Sequence, residues 1–293
     1  MYDIIGYSEA ETVREATMLL AENPKLRLIA GGTDVLIKMH GGQLEGAELL
    51  SLRKIKSLST IRKAVDGTIS IGALATFTQI FKDPILREMI PILTEAAISM
   101  GGPQIRNIAT IGGNVCNGAT SADSASSLFA LNAQLKLEDY QGERLVAIRE
   151  FYLGPGKVAL KTGEILTEIL ISPEDYLGFG GQYIKFAMRE AMDIATLGVS
   201  VVCKLQGSTF EQIRIGLGVA GPTPLRCLEA EEYAKEKEVS APTVAEIGKL
   251  AVNSAKARTS WRASKEYREH LVQELVQRAL KTAIVNAGGA KLV

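Results

Sequence analysis

Two histidines, His40 and His270, and three cysteines, Cys116, Cys203 and Cys227, are all that 293 residues offer of the softer metal ligands. The histidines stand far apart and the cysteines form no CxxC pair, so zinc sites, iron–sulphur clusters and Ser-His-Asp catalysis lack their material. Both histidines read as surface residues. The three scattered cysteines read as buried thiols in a reducing cytoplasm. A charge of one sign is also missing. Thirty-three basic residues balance thirty-three acidic ones, which leaves no net field to gather DNA or an anionic membrane surface. No run approaches the ~20 apolar residues that cross a bilayer. The N-terminal MYDIIGYSEAETV places Asp3 and Glu9 where a secretory leader places Lys or Arg. No nucleic acid and no membrane are therefore expected as partners, and any phosphate must be held locally. What is present, 46% hydrophobic against 23% charged residues, can bury a real core, and the length suits two domains.

Ser8, with Glu11 three residues later, reads as a capping box, predicting a first helix from about Ser8 to Glu22 that Asn23-Pro24 stops. Leu26 to Ala30 is a short strand entering Gly31-Gly32, and Val35 to Met39 a helical turn after it. Strands follow at Glu48 to Leu52 and, through a turn at Asp66-Gly67, at Thr68 to Ile71. Pro84 opens a helix that Pro91 kinks or divides. Gln134 to Tyr140 and Glu143 to Ile148 form a hairpin, and Ile165 to Ile171 a further strand. The glycines at 178, 180 and 181 mark a linker, so the domains are read as 1–177 and 178–293. In the second, three β-prone runs (182–189, 196–205 and 212–219) precede an almost wholly helical tail from Leu225 to Val285. That order predicts an antiparallel three-stranded sheet covered by helices. Leu271, Leu275, Ala279 and Ala283 form the buried stripe of the last helix, and Trp261 reads as a packing anchor.

Two glycine-rich segments carry the chemistry. The first is Leu28-Ile29-Ala30-Gly31-Gly32-Thr33-Asp34-Val35. Glycines lacking Cβ let successive N–H groups converge on an anion, with the Thr33 hydroxyl as an added donor. It has neither the lysine of a P-loop nor the G-x-G-x-x-G order of a Rossmann turn. The alternative is a tight strand-to-helix turn capped by Asp34 or Thr33. The second, Thr110-Ile111-Gly112-Gly113-Asn114, repeats the hydroxyl, the paired glycines and the short polar side chain, and two such loops can clamp one diphosphate. Asp123 would repel that diphosphate; it is read as an acceptor for hydroxyls or amides, or as the cap of a helix beginning near Ser124.

AGGTDVL at 30–36 and GGPQIRNIATIGGNVCNGATSAD at 101–123 resemble the FAD subunits of molybdenum hydroxylases, closest to those of bacterial xanthine dehydrogenases. IKFAMREAMDIATLGV at 184–199 and WRASKEYREHL at 261–271 extend the resemblance over essentially the whole chain. It implies an α+β fold: a two-part FAD-binding domain of the vanillyl-alcohol-oxidase/PCMH type, then the antiparallel sheet with its helical bundle. It also implies that Leu28 to Val35 and Thr110 to Asn114 wrap the FAD pyrophosphate. Met100 falls at the flavin end, Asp123 matches a hydrogen-bonding acid, Ile165 or Leu166 meets the flavin or its adenine arm by backbone, and Lys185 matches an FAD-contacting lysine. Without the resemblance, Lys185 reads as an exposed strand lysine. Met188 to Ala195, with Arg189 and Asp193, resembles the loop beside the flavin ring.

On this reading the chain performs no hydroxylation. Electrons leave molybdopterin-bound molybdenum on a large subunit, cross 2Fe-2S centres on a small one, and reach FAD here, with NAD as a possible acceptor; the assembly implied is a dimer of heterotrimers. Two other readings stand beside it: the flavin subunit of a hydroxylase acting on carbon monoxide, an aldehyde or a nitrogen heterocycle, and a flavin-free docking scaffold. The intact glycine pairs with Thr33, Thr110, Asp123 and Lys185 argue against the scaffold.

Overall fold

Thr12, not Ser8, caps the first helix. In the computed structural model, which describes residues 3–292, Ser8 lies inside a strand, β1 (Ile4–Glu9). Helix α1 (Val13–Glu22) begins where the Thr12 hydroxyl accepts the Glu15 amide at 3.1 Å. The Glu15 carboxylate in turn accepts the Glu11 amide. The predicted box is thus replaced by a hydroxyl cap four residues later whose N3 carboxylate takes the preceding residue's amide, because β1 pairs with a strand far along the chain. That partner, β3 (Ala47–Ser51), runs parallel both to β1 and to β2 (Arg27–Ile29), with helix α2 (Val35–His40) between β2 and β3 in sequence. This small parallel sheet has its own core around Leu20, Leu50 and Ile55.

A second sheet, antiparallel throughout, has the order β4-β5-β10-β6-β7. It is built from β4 (Ile61–Lys63), β5 (Ile69–Gly72), the hairpin β6 (Gln134–Glu138) and β7 (Glu143–Ala147), and β10 (Ile165–Ile171). Between β5 and β6 run helices α3 (Phe77–Lys82), α4 (Pro84–Met89), α5 (Pro91–Ser99), α6 (Pro103–Arg106), α7 (Ile111–Cys116) and α8 (Asp123–Ala130). Pro91 divides the predicted single helix into α4 and α5, as its missing N–H requires. A short helix α9 (Ile148–Phe151) and the ribbon of β8 (Tyr152–Gly154) and β9 (Lys157–Val158) lead into β10. Gly178 adopts a left-handed φ of 79° in the turn region that the sequence marked as a linker.

Beyond it, β11 (Gly180–Phe186), β12 (Leu197–Gln206) and β13 (Thr209–Gly218) form the expected antiparallel sheet. A two-residue strand, β14 (Leu225–Arg226), adds a fourth member that is too short to carry a sequence period. Helices α10 (Leu228–Ala234), α11 (Ala241–Ser254) and α12 (Lys265–Asn286) cover it and enclose a separate apolar core. Leu271, Leu275, Ala279 and Ala283 are buried there as the stripe predicted. Trp261 is not. It sits in the turn between α11 and α12 with 76% of its surface exposed, its ring 4.2 Å from the Arg262 guanidinium.

Helix α8 joins the two halves. Every residue from Ser124 to Ala130 is buried, and the small Ser and Ala side chains let strands come close. Ser200 on β12 donates to Ser126 at 2.9 Å and lies 3.0 Å from the Ser127 hydroxyl, while Ser127 donates to the Ile92 carbonyl. A Cβ at Gly216 of β13 would overlap the Ser126 carbonyl. Gly216→Ala is therefore expected to cost about 1–3 kcal/mol of folding stability, the range for overpacked interiors, read as a lower denaturant midpoint. A midpoint equal to that of the parent would show that α8 and β13 do not approach this closely.

Candidate functional site

Both glycine loops open on one cleft of about 530 Å³. Leu28, Ala30 to Val35, Met100, Thr110, Gly112 to Asn114, Ile165 and Leu166 line it. Ile29 and Ile111 do not: Ile111 is wholly buried beneath the second loop. Asp123 and Lys185 also lie outside the lining.

The paired glycines divide their work. A Cβ on Gly31 would overlap the Ile108 carbonyl, and one on Gly112 would come within 2.6 Å of Ala73. The first glycine of each pair thus serves chain-on-chain contact and sets the two loops in register. Gly32, with φ of +77°, makes the left-handed bend that turns the chain toward α2. A Cβ on Gly113 would meet only the Thr110 hydroxyl, at 3.0 Å, so this position faces the cleft.

The expected symmetry between the loops ends at their amides. In the second loop the amides from Ile111 onward are engaged: Ile111 donates to the Ala75 carbonyl, Gly112 to Ala73, Gly113 to the Thr110 hydroxyl and Asn114 to the Thr110 carbonyl. The reason is local, since Thr110 is the N-cap of α7 and its hydroxyl is consumed there. What this loop presents to the cleft is shape and the Asn114 side chain, whose Oδ1 accepts from Ser124 at 2.7 Å. In the first loop, no acceptor among the described residues meets the amides of Gly31, Gly32, Thr33 or Asp34. Asp34 precedes α2 without making a side-chain cap bond, so the capping alternative is not realised. Four successive donors bordering a cleft are thus left without a protein partner.

Asp123 and Lys185 are held by each other. Their charged atoms lie 2.9 Å apart, with side chains 9% and 10% exposed; Lys185 also donates to the Ser99 carbonyl, and the Tyr183 hydroxyl to Asp123. Burial pushes the Asp123 carboxyl above the ordinary carboxylate range, and the lysine's charge and hydrogen bond pull it back. Asp123 is the first residue of α8 but not its cap, and Lys185 is not an exposed strand lysine.

Further residues at or near the cleft are given no role by the sequence reading. Lys38, one turn after Val35 on α2, reaches the lining and donates to Asn117 at 2.7 Å; its i+3 spacing from Val35 is the signal that places it there. Arg106 donates to the Met100 and Gly101 carbonyls at 2.8 and 3.1 Å and so fixes the turn beside Met100. Across the cleft, Glu164 accepts from the Lys161 amide and from Arg144 at 2.6 Å, and the guanidinium holds its carboxyl below the usual range. Cys116 lines the cleft, its thiol pushed up to about 12 by burial, which leaves it an unreactive wall. In the 187–196 loop, Asp193 accepts the Arg189 amide and Arg189 donates to the Met192 carbonyl. A Cβ on Gly102 would come 3.2 Å from the Met192 side chain, so this loop reaches the turn after Met100.

Among the described residues no group of His, Cys, Asp and Glu is placed to hold a metal ion, and no helix is long and apolar enough to cross a membrane. Residues 3–173 match the family described as the FAD binding domain in molybdopterin dehydrogenase, and residues 182–283 match the CO dehydrogenase flavoprotein C-terminal domain. The xanthine dehydrogenase FAD-binding subunit of Escherichia coli O157:H7 is 42% identical over 289 residues, covering 99% of each chain. The glyceraldehyde dehydrogenase medium chain of Sulfolobus acidocaldarius is 29% identical over 276 residues, 94% of this chain and 97% of its own. Among solved structures, a carbon monoxide dehydrogenase from Hydrogenophaga pseudoflava superposes with a TM-score of 0.92 at 29% identity, over 98% of this chain and 99% of that one. The α+β architecture, the cleft between two glycine loops and these full-length matches together establish that the chain belongs to the FAD-binding subunits of the molybdenum hydroxylase family.

Proposed function

We propose that this chain is the FAD-carrying electron-transfer subunit of a xanthine or hypoxanthine dehydrogenase. It takes electrons from a 2Fe-2S subunit and passes them to NAD or another acceptor. A molybdopterin-binding large subunit performs the hydroxylation, and the complex is a cytoplasmic dimer of heterotrimers. The observation that carries the reading is the row of four unpaired amides at Gly31 to Asp34, in a chain 42% identical to a xanthine dehydrogenase FAD subunit.

The residues present fit the cofactor. A pyrophosphate needs convergent donors and a nearby cation, supplied by the Gly31–Asp34 amides, the Thr33 hydroxyl and Lys38. Gly113, whose missing side chain leaves room, closes the cradle opposite. Leu28, Ile165 and Leu166 give apolar walls. When bound, FAD supplies the two-electron chemistry that no side chain here can perform. The protein's share is position. Arg106 locks the backbone at Met100, Lys185 holds the adjoining Ser99 carbonyl, and the 187–196 loop, stiffened by Asp193, screens that end from water. We divide the chain functionally at residues 177 and 178, with the cradle in the first part and Lys185 and the loop in the second.

Gly113→Val fills the space opposite the first loop. It is expected to weaken FAD binding at least about tenfold, ~1.4 kcal/mol, with the fold intact by circular dichroism. Flavin content equal to the parent's would remove the second loop from the cradle. For the substrate, the co-purified complex is expected to reduce NAD with xanthine or hypoxanthine. Turnover of carbon monoxide or an aldehyde, with none of the purines, would assign the chain to another hydroxylase.

A further inference from the structure

Lys256, Arg258, Arg262, Lys265 and Arg268 stand within thirteen residues against a single carboxylate, Glu266, in a chain of zero net charge. Among the described residues, Lys265 is the one cation of the five that forms an ion pair, with Glu269 at 3.7 Å. Arg268, only 4% exposed, donates to the Thr196 carbonyl and the Ser260 hydroxyl, and its Nε meets no acceptor among the described residues. The charges bearing on it are those of Arg258 and Arg262, which add to burial in lowering its pKa. Positive charge thus exceeds its counter-charge here.

Beside it stands an apolar face. Arg262 stacks on the largely exposed Trp261. Tyr267 packs edge-on against Phe186 at 6.2 Å while keeping nearly half its surface in solvent. Met188, Met192 and Ile194 of the 187–196 loop are also exposed. Arg268 ties the turn at Ser260 to Thr196, where this loop ends, and Tyr267 rests on Phe186, where it begins, so the two segments are anchored to each other. Tryptophan, tyrosine, methionine and arginine are the residues enriched at protein interfaces, and a ring held by a stacked guanidinium loses little entropy on docking.

We propose that this face docks the electron-delivering iron–sulphur subunit, Trp261 entering an apolar hollow and Arg258 and Arg262 meeting carboxylates on its rim. The choice of partner rests on the proposed function. The face is anchored to the loop that reaches the turn beside Met100, the end of the cleft to which the proposed function brings electrons. Charge selects an acidic partner.

The test uses the co-expressed three-subunit complex. Trp261→Ala and Arg262→Glu should each weaken association of this chain with the iron–sulphur subunit at least about tenfold, and Arg262→Lys should weaken it less. Flavin content should match the parent's in all three. Association of the parent should also fall with added salt more steeply than that of Arg262→Glu. Undiminished association in both Trp261→Ala and Arg262→Glu overturns the proposal. So does undiminished association accompanied by ADP binding that Arg262→Glu abolishes, which would give the face to a nucleotide phosphate. Flavin content is read separately, so a parent chain without flavin would refute the cofactor reading and leave the docking result standing.

Discussion

A buried ion pair between Asp123 and Lys185 ties the two halves of this protein together beside the cleft. Asp123 begins α8, the helix enclosed on every side. Lys185 belongs to β11, the first strand of the second sheet, and its remaining bond reaches the Ser99 carbonyl, one residue before Met100. Such a pair adds little net stability, because desolvation offsets the attraction. Removing one partner strands a charge and typically costs 3–5 kcal/mol. Its value is directional: a lysine that satisfies both a carboxylate and a carbonyl fixes three segments at once. The serines and alanines of α8 and the bare Gly216 then let the sheet settle against the helix with no room to slide.

The glycine loops obey the same economy. Four glycines that look interchangeable in sequence do three different things. Gly31 and Gly112 allow backbone to touch backbone, Gly32 allows a left-handed bend, and Gly113 leaves open space toward the cleft. The loop-on-loop contact at Gly31 and Ile108 gives the cleft its mouth, and the amides left over from that contact give it chemistry. A side chain at either close-approach glycine would separate the loops before any ligand was concerned.

What could be read in the sequence was local. Pro84 and Pro91 announced two helices, Asp66-Gly67 a hairpin, and the alternation from Ile165 to Ile171 a strand, since turn chemistry and hydrophobic period act within a few residues. Both glycine loops were legible for the same reason, and they do line one cleft. What escaped depended on partners distant in the chain. β1 exists because β3 lies beside it, and β14 because β13 does. The engagement of the second loop's amides depends on Ala73 and Ala75, and the pairing of Lys185 with Asp123 spans sixty-two residues. Trp261 misled because a large aromatic is usually buried, whereas this one stands in a turn on a guanidinium. Lys38 is placed only by its helical spacing from Val35, and the role of Arg106, though it lies within a quoted motif, depends on the turn at Met100 and Gly101 that it folds back to bond.

In the proposed function the first loop's free amides, not the second loop's engaged ones, grip the cofactor. Hydrogen exchange of the chain with and without FAD tests it residue by residue. The amides of Gly31, Gly32, Thr33 and Asp34, which lack acceptors, are expected to exchange freely without FAD and to become protected with it. Those of Ile111 to Asn114, already bonded within the protein, should change far less. Protection that grows at Ile111 to Asn114 while Gly31 to Asp34 keep exchanging freely would contradict the account.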